Sequence, residues 1–262
     1  MKRTILASFV ALFSFGTLAD TYQHQSDLDY SWGDIASGDA ENWSFKHQFF
    51  LAPVSLNTNV PYAEAAFMGR NASVNAGYSY SRFDFPGFSK FSDSAWSVGG
   101  EYMDQGHNFY GALQWVEYNG SDDRQVLGRV GYFVNKDWLV AVDVRHSRPD
   151  GAGSVTEYGV STKKLLALDS GDFINIEARY MDIRDRSESE YGVAADYYFG
   201  KTVSLGLAYD WTSKDVVSSR EDSFTVRGNW YVTPALALKA SVAFDSFATG
   251  DDVYSIGASY RF

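Results

Sequence analysis

From Tyr22 to Phe262 the chain alternates apolar and polar residues with a period of two, which predicts strands with one apolar and one polar face. The last stretch is the clearest. Tyr254, Ile256, Ala258, Tyr260 and Phe262 share one face, and Val253, Ser255, Gly257, Ser259 and Arg261 share the other. The first stretch sets Tyr22, Ser26, Leu28, Tyr30 and Trp32 against Gln23, Gln25, Asp27, Asp29 and Ser31. Between them the same lettering recurs, as in Val126, Gly128, Val130, Tyr132 and Val134 or Val203, Leu205, Leu207, Tyr209 and Trp211. Turn signals separate the runs: Pro86-Gly87, Asn119-Gly120, Pro149-Asp150-Gly151, Gly200-Lys201 and Thr233-Pro234.

Two places break the pattern. Pro53 to Arg70 contains Pro61 and the compact Tyr62–Met68 segment, and reads as a longer connection with one helical turn; a short, poorly alternating strand is the alternative. Glu157 to Leu165 is the weakest strand, because Lys163 and Lys164 are adjacent and one of them must face outward and snorkel. The count is about fourteen strands, within a range of twelve to sixteen, each near the ~9–11 residues that cross a bilayer when tilted. Soluble strands average ~5–6 residues. The predicted class is all-β, a transmembrane antiparallel up-and-down barrel with both termini on the periplasmic side.

Charge decides which face meets lipid. Lys46, Glu101, Arg129, Asp143, Arg145, Glu177, Arg179, Asp196, Asp210, Arg227, Lys239, Asp245 and Arg261 all fall on the non-aromatic face. An Arg or Lys at the bilayer midplane costs ~2–4 kcal/mol, and several such costs exceed the stability of a typical domain. These residues are therefore predicted to line the lumen. They are close to balanced in sign, so weak ion selectivity is expected. At about fourteen strands the lumen is wide enough to stay wet rather than be filled by a salt-bridge ladder. Tryptophan agrees with this register: Trp32, Trp43, Trp96, Trp115 and Trp211 fall towards the outer strand ends, and Trp138 and Trp230 near the periplasmic turns.

Composition narrows the classes. Lys2 and Arg3, the apolar run Ile5–Phe15, and small residues Thr17 and Ala19 read as a signal peptide over residues 1–19, leaving 20–262 as one barrel domain. No later apolar run approaches the ~20 residues of a membrane helix. The formal charge of −11 argues against nucleic acid as a partner. With no cysteine there is no disulfide or thiolate chemistry, and no phosphate loop, metal spacing or nucleophile elbow is present, so neither cofactor nor enzymatic activity is expected. Of His24, His47, His107 and His146, only His146, near Ser147 and the Asp150 loop, falls at the outer rim where a hydrolase would need it. Acidic loops (Asp122 and Asp123; Asp182 to Glu190; Asp251 and Asp252) read as solvated tips, with divalent-cation or lipid A counter-ion binding as the alternative.

The C-terminal stretch resembles the assembly signal of Gram-negative outer-membrane barrels: polar Ser255, then Gly257, then aromatic Tyr260 and Phe262 at the terminus. That resemblance implies recognition by the barrel-assembly machinery. Over its mature length the chain resembles porin-like outer-membrane barrels, and Pro61, Glu64, Phe67 and Ala72-Ser73-Val74 resemble a segment that precedes the third strand in one porin group. The resemblance implies an outer-membrane protein set among lipid and lipopolysaccharide, passing small polar solutes or ions by passive diffusion. Every outer loop is short, unlike that of general trimeric porins, which points to a monomer without a loop-made eyelet. Narrowing would then come from inward side chains or from Pro53–Arg70 entering the periplasmic mouth. A rim enzyme, or a structural or adhesion barrel with a plugged lumen, are the alternatives.

Overall fold

The computed structural model describes residues 20–35, 38–87, 89–104, 106–121, 123–151, 153–183, 188–214, 221–245 and 252–262. The expected signal segment 1–19, residues 184–187 of the acidic Asp182–Glu190 stretch, Asp122 and Asp251 lie outside them. Fourteen strands follow one another: β1 (Thr21–Ile35), β2 (Gly38–Ser55), β3 (Ser73–Asp84), β4 (Phe91–Met103), β5 (Phe109–Tyr118), β6 (Arg124–Asn135), β7 (Trp138–Arg148), β8 (Val155–Ala167), β9 (Phe173–Ile183), β10 (Glu188–Phe199), β11 (Val203–Lys214), β12 (Glu221–Tyr231), β13 (Leu236–Asp245) and β14 (Asp252–Arg261). Each pairs antiparallel with its sequence neighbours, and β14 returns to β1 to close a barrel. The seam runs from Gln25 opposite Arg261 to Gly33 opposite Val253. His24 and Phe262 complete it by exchanging backbone hydrogen bonds of 2.9 and 3.0 Å.

An antiparallel pair keeps side chains of paired residues on the same face, so one register error would invert a whole strand. The expected faces are met: Leu113, Val130, Val142, Leu205, Leu207 and Ile256 are exposed on the outside, whereas Asp27, Asp143, Glu157, Asn175, Asp196 and Arg261 are buried within. One expectation fails. Tyr22 does not join the outer face of β1. A register shift between Tyr22 and His24 turns its ring inward, where it meets Phe50 edge-on at 5.3 Å. The shift sets one residue of β1 against four of β2 between the paired positions, and so breaks the period that the sequence pattern relies on. β2 also runs two residues past Pro53, further than its alternation suggests. The doubtful β8 forms in full. Lys163 turns inward, and Lys164 turns outward with its ammonium 4.8 Å from the Trp138 ring centre.

Aromatic rings gather at both ends of the outer surface. Near the end without termini, Tyr30 packs on Trp32 and Trp43, and Tyr191 stacks on Trp211 at 5.0 Å. At the end that carries both termini, Phe262 stacks on His24 and Tyr260, and Tyr197 packs on Phe199. Tight turns at this end use left-handed glycines, Gly171 (φ 87°) and Gly200 (φ 63°), which a Cβ would strain.

Inward glycines have a different role. Arg179 of β9 reaches over β10 to Asp210 of β11 (2.7 Å), and Arg227 of β12 reaches over β11 to Asp196 of β10 (2.8 and 2.7 Å). The residue crossed is a glycine each time. A Cβ on Gly192 would lie 2.6 Å from Arg179 Nε, and one on Gly206 would overlap the Asp196 carboxylate and approach Arg227 Cγ at 3.1 Å. Gly128, on the outer face, has open space around it.

Two outcomes follow from this layout. Gly206→Ala should displace the two-point Arg227–Asp196 pair and lower stability by about 1–3 kcal/mol, while Gly128→Ala should be near neutral, both read from denaturant unfolding in lipid vesicles. In the same assay, Leu207→Arg should cost about 2–4 kcal/mol, the midplane value for a charge facing lipid.

Candidate pore and its constriction

The connection between β2 and β3 does not stay outside the wall. After Leu56 it turns back into the mouth that carries the termini, where Pro61 starts a 3₁₀ turn (Tyr62–Glu64) that continues into one α turn, α1 (Ala65–Met68). Pro61, Glu64, Ala65 and Phe67 are buried there. So short a helix has no stability of its own; the wall holds it.

Its attachments go almost all the way round. The Tyr62 N–H donates to Lys201 O (3.0 Å), and Tyr62 O accepts from Arg261 Nη1 (2.9 Å). The Arg261 guanidinium lies between the Tyr22 and Tyr231 rings, 4.6 and 4.7 Å from their centres. Glu64 accepts a 2.6 Å hydrogen bond from Tyr198 Oη and pairs with Lys163 Nζ at 2.9 Å. Phe67 packs on Phe133, beside Tyr110 and Leu139. Arg70, at φ 51°, donates to Asn108 Oδ1 (2.6 Å) and lies 4.3 Å from the Phe133 ring centre. The helical turn expected in Pro53–Arg70 is therefore present, and it narrows one mouth of the barrel.

Between this segment and the wall lies a cavity of about 590 Å³ that includes Glu64, Glu101, Lys163 and Arg179 in its lining. A second, of about 260 Å³, lies against Lys46, Glu101 and Glu190, and a third, of about 500 Å³, against Asp29, Asp196 and Lys239.

Most of the expected lumenal charges meet a partner on the wall. Arg129 pairs with Asp143, Arg145 with Glu157 and with Glu190 (2.8 Å), Arg179 with Asp210, Arg227 with Asp196, and Lys239 with Asp27 (2.6 Å). Glu177 reaches Lys163 at 3.2 Å. Lys46 and Glu101 border the cavities with no ion pair among the described residues. Arg261 is inward but buried against the narrowing segment, with Gln25 accepting from its Nε at 2.8 Å. Asp245 ends β13, and its side chain is outside the described residues. In β14, Ser255 and Gly257 turn inward beside the third cavity, while Tyr260 and Phe262 turn outward.

Sequence reading missed several inward groups. Asp27 and Asp29 lie on the polar face of β1 but are not among the expected lining charges. Glu157 and Lys163 lay in the strand that alternates least. The acidic run Asp182 to Glu190 reads as a loop, whereas β10 already begins at Glu188. Glu64 gave only the signal of an acid in a compact segment after a proline. Asp104 and Asp172, outside the spans, are solvated turn residues whose carboxyls are held below their usual range by hydrogen bonds, from His107 and from Tyr197 respectively.

Among the described residues, the four histidines bond as follows. His146 is exposed on the outer face and bonds Thr156 Oγ1 at 2.8 Å, whereas neighbouring Ser147 turns inward to accept from Gln125 (3.1 Å). His24 and His47 pair on the outer face at 3.2 Å, and His107 bonds Asp104 in a turn.

The family model described as putative general bacterial porin matches residues 1–155 and 150–262. No protein with a curated description matches the chain. Among solved structures, the Acinetobacter baumannii outer membrane protein Omp33 is 18% identical, with 93% of this chain and 99% of that one covered and a TM-score of 0.74. A bacterial polysaccharide outer membrane secretin is 7% identical, with 92% and 99% covered and a TM-score of 0.54. Both share the fold. Matched along its length by the family model, the chain belongs to the putative general bacterial porins and is a porin-like channel of the Gram-negative outer membrane.

Proposed function

We propose that small polar solutes and ions cross this barrel by passive diffusion, along a path lined by the inward charges and narrowed at its periplasmic mouth by Leu56–Arg70. The observation that carries the reading is the anchoring of that segment by Arg261, Glu64, Phe67 and Arg70 to strands all round the wall, with cavities left beside it. A fixed obstruction with space around it makes a filter rather than a stopper. Selectivity then follows from width and from the field of the lining groups.

Residues 1–19 act as the export signal, and the Ser255, Gly257, Tyr260 and Phe262 pattern is what the assembly machinery reads. A single chain suffices, because the narrowing element is its own and needs no neighbouring copy. The channel does no chemistry: the one rim histidine, His146, has a threonine as its partner, and no carboxylate bonds it among the described residues.

Replacing Leu56–Arg70 by a short glycine-containing turn should raise single-channel conductance in planar bilayers, and unchanged conductance would refute the constriction. Small sugars should swell liposomes that carry the intact chain. Absence of both swelling and conductance would favour a plugged structural barrel. His146→Ala should leave conductance and swelling rate as they were.

A further inference from the structure

Three inward cations pair one to one with a carboxylate, in Arg129–Asp143, Arg179–Asp210 and Arg227–Asp196. Two others do not. Arg145 is shared by Glu157 and Glu190, and Lys163 by Glu64 and Glu177. Both triads divide alike. One carboxylate is packed away, Glu157 at 9% and Glu64 at 5% side-chain exposure; the other stays open, Glu190 at 31% and Glu177 at 41%. Each triad carries one surplus negative charge, and the open oxygens on the cavity side present it. Lys239 repeats the theme with Asp27 in contact and Asp29 beside the same cavity.

Among the described residues, the positive charges that could cancel this surplus do not. Lys46 is offset by Glu101 on the same wall. Arg261 is buried between two tyrosine rings and occupied by Tyr62 O and Gln25, so it is turned from the path. Glu177 lies opposite Ala194 in β10, and Glu190 is four residues further along that strand. At ~3.3 Å per residue the two open carboxylates are about 13 Å apart along the wall. The surplus is thus spread along the route instead of concentrated at one point.

We propose that the lumen prefers small cations over anions, and that Glu177 and Glu190 are the residues that set the preference. The proposal rests on the channel reading and names the solute class that the channel favours. It replaces the balanced lumen expected from sequence, which omitted most of the acids in these triads. A single uncompensated charge about 10 Å from an ion in water changes its local concentration about twofold. Two such charges give a potassium-to-chloride permeability ratio of about two to four when the Debye length is about 10 Å.

The test is the reversal potential of the full-length chain in planar bilayers under a potassium chloride gradient at about 0.1 M ionic strength, where the Debye length is about 10 Å. Wild type should show cation preference in that range. Glu177→Gln and Glu190→Gln should each reduce it, and the double variant should bring the ratio to one or below. Asp172→Asn, which removes a carboxylate from a turn outside the lumen, should leave it unchanged. A wild-type ratio at or below one overturns the proposal, as does a double variant that keeps the wild-type ratio. Chains that migrate as folded barrels in unheated electrophoresis yet never conduct would instead remove the channel reading on which the proposal stands.

Discussion

Every feature of this protein depends on the fact that lipid offers no hydrogen-bond partner. A strand in hydrocarbon must have both edges paired, and a sheet meets that demand only by closing on itself. The seam between β1 and β14 is therefore the condition for the other thirteen pairings to exist in a membrane. The same constraint sorts the side chains. Leu205 and Leu207 can face acyl chains; Arg227 and Asp196 cannot, and they find each other across an intervening strand. The period-two pattern and the ion pairs are two results of one solvent.

The lumenal network also shows how a charged wall stays orderly. A guanidinium that spans two strand spacings needs a gap beneath it, and Gly192 and Gly206 supply one. Burial of Glu64, Glu157 and Asp196 would be costly if any stood alone, because an unpaired charge out of water loses far more than a surface ion pair gains. Each has a cation in contact. The network fixes the cations to the wall and leaves the remaining carboxylates to set the field.

Strand number and the alternation of faces were legible in sequence, because each depends on residues a few positions apart. What was not legible depends on distance or on a single irregularity. The partners of Glu64, Lys163 and Tyr198, lie in β8 and β10, and the connection that carries Glu64 lies between β2 and β3. No local pattern announces such a meeting. The bulge at Tyr22 reverses one ring without altering the letters around it. Glu190 was lost to a loop because the acidic run Asp182–Glu190 resembles a solvated tip, whereas its last residues already pair with β9 and β11.

Arg261 ties two distant events together. It arrives with the strand that completes the cylinder, yet it grips the carbonyl of Tyr62, made 199 residues earlier. An unzipped seam would lose this latch at the same moment as its wall. The narrow passage is thus a property of the finished cylinder alone.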